Sequence, residues 1–287
     1  MTSDLAIAWA VMKWPLAACL VLPPLLVYLG LHVVRREVIF VDLALAQVAT
    51  MGTCIALIMG FQFGDITTFW ISLGVTFVAA GLFSWSRSVE KHEVPQEAII
   101  GITFVVAAAA VILLLSRVAG GKEELEHLLT GDILNVTRED VFKRTATFVV
   151  LGGFFAVFHR RFALLSGELH EALATGINVH LWDFLFYAAF SLVVVNFVRL
   201  AGVLLTFAYL IVPAVCAVML ARSWKARLIV GWCIAGIASL AGLWASYKFD
   251  LPTGAAIVVA CGVALTIVTT YASLRGSKTP LPVTAGD

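Results

Sequence analysis

The chain has 287 residues, 61% of them apolar and only 13% charged, and its mean hydropathy is +1.00. This composition excludes a soluble globular domain, in which about a quarter of residues are charged, and sets most side chains against lipid or neighbouring helices. The net charge is +1, with Lys and Arg at the ends of apolar runs rather than in a patch, which excludes a nucleic-acid partner.

The N-terminal MTSDLAIAWAVMKWPLAA has neither the basic start nor the small-residue cleavage site of a signal peptide, so the first apolar run reads as a retained span. A helix needs roughly 20 apolar residues to cross the hydrocarbon. Runs of this kind lie near 15–34, 38–60, 66–85, 98–117, 144–159, 183–198, 200–221, 228–247 and 255–274. The fifth is short, and only Asn196 and Arg199 divide the sixth from the seventh, so eight full spans plus a broken or re-entrant element fit equally well. The expected architecture is all-α, a polytopic bundle of about eight to nine transmembrane helices. One transmembrane domain occupies 1–275, and 276–287 form a disordered tail. With the N-terminus outside, Arg35, Arg36, Arg160, Arg161, Arg222, Lys225 and Arg227 fall on the cytoplasmic side.

Motifs for self-contained chemistry are absent: there is no GxxxxGK[ST], HExxH, GxSxG or CxxC. The chain is therefore not expected to be an enzyme or to bind a cofactor. The histidines lie in or beside polar loops, and no two are three or four residues apart on one helix, so they read as solvated or interfacial side chains. The five cysteines fall inside apolar runs as small buried hydrophobes.

Two segments ask for explanation. In the second span, Asp42 and Gln47 are polar groups inside an apolar run. Five positions apart, they stand about 140° apart on a helix and share a face poorly. They fit either an ion path or a helix-start cap at Asp42 with an interhelical hydrogen bond at Gln47. The second segment, SGELHEALATGINV at 166–179, is a short amphipathic helical pattern closed by Gly176. It suits either an ATPase cleft or an ordinary interfacial position.

Four blocks in order give the chain a resemblance to the integral membrane permeases of the ABC importer family for zinc, manganese and iron. HVVRREVIFVDLALAQVATMG resembles the arginine-rich turn and following helix; LLTGDILNVTREDV is similar to the Gly-Asp loop and Thr-x-Glu-Asp helix start. ELHEALATGINV resembles the coupling segment, and VRLAGVLLTFAYLIVPAVCAVMLARS with FDLPTGAAIVV resembles the late blocks around Gly202, Pro213, Pro252 and Gly254. The resemblance implies a homodimer in the bilayer of a bacterial inner or plasma membrane. An ATP-binding ABC subunit powers it, an extracytoplasmic metal-binding protein supplies it, and the cargo is zinc or manganese. It assigns ATPase coupling to Glu168, Glu171, Ala172 and Gly176.

Translocation-path candidates are Asp42, Gln47, Asn196, Arg199 and Pro213, with Asp42 as the metal candidate. The family pattern carries an aspartate and, four residues later, a histidine on the second span. Aligned on Gly52, those positions fall on Leu43 and Gln47 here, with the carboxylate one place earlier at Asp42. An amide with a carboxylate is a harder donor set than an imidazole and suits manganese or a partly hydrated ion. A metal chelate or other small solute, or an ATP-independent metal transporter, is the alternative reading.

Overall fold

The computed structural model describes residues 2–62, 65–89, 95–117, 121–131, 133–167 and 177–275. Two helices, α1 (Thr2–Val21) and α2 (Pro23–Arg35), share the first crossing and meet at Leu22. Pro23 and Pro24 are tolerated there because the first amides of a helix have no partner inside it.

After the arginine-rich turn, α3 (Val41–Ile58) runs through the middle of the bundle, with 13 of its 18 residues buried. Its small side chains permit this. A Cβ on Gly52 would lie 2.7 Å from the Ser72 Cα of α4 (Ile66–Val89), and the Ser72 hydroxyl donates to the Ala49 carbonyl at 2.7 Å. α5 (Gln96–Leu115) is the most apolar span and is mostly turned outward, as a lipid-facing helix should be.

At the far end of the bundle lie the short α6 (Gly121–Thr130) and a 3₁₀ turn (Ile133–Asn135). α7 (Arg138–Val157) then starts on a capping box: the Thr137 hydroxyl accepts from the Asp140 amide, and the Asp140 carboxylate accepts from the Thr137 amide. This cap starts the fifth span at Arg138, six residues before the apolar run at 144–159. The span bends by 69° at Phe158 into α8 (His159–Leu165).

The longest element, α9 (Val179–Leu220), is a helical hairpin. Phe186 near its start and Trp224 just beyond its end both pack on the His32 ring, with centroids 5.9 and 4.9 Å away. Phe197 and Tyr209 meet edge to face across the fold, with ring centroids 6.0 Å apart, where a straight helix would hold them about 18 Å apart. The reversal is at Gly202, with φ 76° and ψ 171°, a conformation essentially closed to residues with a Cβ. The arms 179–201 and 203–220 are roughly 34 and 27 Å long. α10 (Trp224–Phe249) and α11 (Thr253–Leu274) complete the bundle.

Seven helices are long and apolar enough to cross a membrane, and the bent α7–α8 pair is an eighth. With the arms of α9 counted separately, the described residues contain nine long apolar helical segments, each overlapping one of the apolar runs of the sequence. The boundary between the sixth and seventh is corrected, however: it lies at Gly202, and Asn196 and Arg199 are inside the first arm. Polarity marked the wrong residues because an arginine can stay helical near an interface, whereas only a glycine can reverse the chain this way.

Three of the sequence blocks converge on that reversal. A Cβ on Gly131 (φ 68°) would collide with the Ala201 carbonyl, one on Gly202 with the Gly131 amide, and one on Gly254 with the Thr130 carbonyl. The segments LLTG, RLAGV and DLPTG thus meet backbone to backbone at the end opposite the arginine-rich turn.

Candidate translocation route

Asp42 lies in the first turn of α3, 1% exposed. It does not cap the helix: Phe40 is the N-cap and makes no side-chain cap bond. The donors that approach the carboxylate are the backbone amides of Asp42 and Leu43, and neither reaches hydrogen-bond geometry, so both oxygens lack a partner. A buried carboxylate without donors is costly, which sets Asp42 apart from every other acid described. Gln47, 7% exposed, makes no side-chain hydrogen bond among the described residues. Asp42 is sealed inside the bundle, whereas Gln47 lies on the one partly open stripe of α3, in line with half-buried Leu43, Met51 and Ile55. Among the described residues no three His, Cys, Asp or Glu side chains form a group able to hold a metal ion.

The arginine-rich end is tied together by a buried ion pair. Arg36 Nη1 lies 2.9 Å from Asp183 Oδ1, with the two side chains 2% and 1% exposed. Arg36 Nε donates to the Ser166 hydroxyl at 2.9 Å, and the guanidinium lies over the Phe186 ring, 4.0 Å from its centroid. Ser166 precedes, and Asp183 follows, the segment that carries the four coupling candidates. Glu168, Glu171, Ala172 and Gly176 themselves lie outside the described residues, as does the tail 276–287.

His32 corrects the reading of the histidines as solvated or interfacial. It is fully buried, with Nδ1 2.9 Å from the Ser166 hydroxyl and its ring 6.1 Å from that of His159. Among the cysteines, Cys19, Cys54, Cys216 and Cys261 are buried as expected, but Cys233 is exposed.

At the opposite end, Asn196 and Arg199 share a cavity of about 300 Å³ with Lys143, Arg144, Asp140 and Phe69. Pro213, in the second arm of α9, is buried in close helix packing. That arm presses on α2 at Gly30, where a Cβ would lie 3.0 Å from Ala214 Cβ, and on α10 at Gly231. The five path candidates are therefore spread over the arginine-rich end, the middle and the far end of the bundle.

The sequence profile described as the ABC 3 transport family matches residues 8–272. The chain belongs to that family. Within it, the chain is similar to the manganese transport system membrane protein MntC of Listeria monocytogenes, 26% identical over 251 residues that cover 86% of each chain. It is 28% identical over 233 residues to the manganese import system permease protein ScaB of Streptococcus gordonii, covering 80% of each. Among solved structures, PsaBC from Streptococcus pneumoniae in complex with Fab superposes with a TM-score of 0.78 at 22% identity, covering 96% of this chain and 100% of that one. At that identity the likeness is to the fold. Family membership and the apolar spans make the chain a multi-pass integral membrane protein and a transporter subunit.

The sequence marks Arg36 only as a cytoplasmic-side charge and His32 only as a solvated or interfacial side chain, and it does not single out Asp183 or Ser166. Their partners are 130 to 147 positions apart, and no local pattern signals such a pairing.

Proposed function

We propose that this chain is the membrane-spanning permease of an ATP-driven importer of a divalent metal ion, manganese before zinc. The observation that carries this reading is the family match over 8–272, together with relatives named for manganese transport that align over at least 80% of their length. The donor chemistry supports it: the carboxylate of Asp42 and the amide of Gln47 offer hard oxygen ligands, which suit manganese better than an imidazole pair would.

In this reading a separate ATP-binding subunit performs the hydrolysis, an extracytoplasmic protein delivers the ion, and two copies of the chain form the working permease. Glu168, Glu171, Ala172 and Gly176 meet the ATPase, and movement of their segment is passed on through Ser166 and Asp183 to Arg36, at the head of the turn that leads into α3. Asp42, sealed in this conformation, is exposed to each side in turn as the bundle alternates. The buried Arg36–Asp183 pair suits a role as a registering contact between the coupling segment and the helix that carries Asp42.

The test is the metal content of cells with and without the chain, starved in turn of manganese, zinc and iron, with a Gln47→His variant alongside. Loss of manganese on deletion, with selectivity shifted toward zinc by Gln47→His, supports the reading. Unchanged content of all three metals would sink it.

A further inference from the structure

The cavity at the far end has the wrong sign for a cation site. Lys143, Arg144 and Arg199 line it against a single acid, Asp140. The acids nearby are already engaged. Glu139 is paired with Lys143 at 2.7 Å, Asp140 Oδ2 accepts from the Thr137 hydroxyl at 2.6 Å, and Asp65 Oδ2 accepts from the Gln62 amide at 2.8 Å.

Among the described residues neither Arg144 nor Arg199 has an ion pair. Arg144 Nη1 donates to the Asn196 carbonyl at 2.5 Å, but its buried Nε meets no acceptor. Arg199 reaches the Asp65 carbonyl only at 3.5 Å and lies 5.4 Å from the Phe69 ring centroid. Since Arg199 is three residues past Asn196, about one helical turn, the two guanidiniums converge on one small space. Like charges drawn together on half-buried side chains are unfavourable unless a counter-charge joins them.

We propose that this cavity binds a small oxyanion, a carboxylate or phosphate-type group, held by the forks of Arg144 and Arg199. A planar guanidinium presents paired N–H donors that match two oxygens of such a group, which an ammonium cannot do. The cavity of about 300 Å³ has room for one such group. The anion arrives either free or as the acidic side chain of a protein docking at this end.

The test uses the full chain in lipid nanodiscs, with inorganic phosphate and acetate titrated against chloride at constant ionic strength. Binding is read by calorimetry and by the thermal unfolding midpoint, neither of which depends on the transport reading. Saturable binding of either anion is expected. It should weaken at least tenfold in Arg144→Gln and Arg199→Gln, weaken in Arg199→Lys, which keeps the charge but loses the fork, and stay unchanged in Arg275→Gln, an exposed site at the other end. Phosphate and acetate behaving like chloride in the wild-type protein, or equal binding in all the variants, overturns the proposal. Uptake assays then separate the two sources: a free anion raises metal uptake, whereas a docking side chain makes the same free anion a competitive inhibitor.

Discussion

Replacing Asp183 by Asn removes the charge that faces Arg36 at 2.9 Å in a site where both side chains are at most 2% exposed. Arg36 keeps the Ser166 hydroxyl and the Phe186 face, but its Nη2 already lacks a partner, so little remains to replace the lost carboxylate. Breaking a buried pair from one side costs about 3–5 kcal/mol, because the remaining charge stays buried without compensation. Removing both charges together, as Arg36→Met with Asp183→Leu, should cost within about 1 kcal/mol of nothing, because the desolvation penalty of both ions disappears as well. Unfolding of the wild type, each single variant and the double variant in one detergent gives the coupling between the two sites. The double variant should be more stable than either single variant, and it should still fail in uptake if the pair carries motion from the coupling segment. A loss below about 1 kcal/mol in Asp183→Asn, or a double variant as unstable as the single, would refute the reasoning.

Three further outcomes are expected. Gly202→Ala places a Cβ against the Gly131 amide and imposes a strained φ worth about 1–3 kcal/mol before the collision is counted, so the yield of folded protein in membranes should collapse while that of Gly74→Ala, in open space, does not. Asp42→Asn removes a buried carboxylate that has no hydrogen-bond donor, so the unfolding midpoint should hold or rise while metal uptake falls at least tenfold; a stability loss with normal uptake would make Asp42 a structural residue. Thr137→Ala loses the α7 capping box and should cost about 1 kcal/mol in thermal unfolding, with the metal preference unchanged.

The spans were legible because lipid demands long apolar runs, but the polar first turn of α7 lies outside its run, and only the family resemblance marked a helix start at Thr137. Gly202 was visible in the block RLAGV, but the reversal it makes depends on Gly131 and Gly254 arriving from distant loops. Asp42 could be singled out as a carboxylate in an apolar helix, yet its isolation inside the bundle depends on the small-residue packing of α3 against α4. His32 looked interfacial because it stands beside paired arginines; Ser166 and His159, which bury it, come from another part of the chain. Arg199 was read as a path residue from its place between two apolar runs. Its partnership with Arg144, and so the sign of the cavity, required the fold.

The most direct measurement is uptake of radioactive manganese into proteoliposomes that hold this chain together with its ATP-binding subunit and are supplied with the loaded binding protein. The account predicts accumulation that requires ATP, is abolished by Asp42→Asn, and is reduced by zinc less in the wild type than in Gln47→His. Accumulation without ATP, or full accumulation by Asp42→Asn, would contradict it.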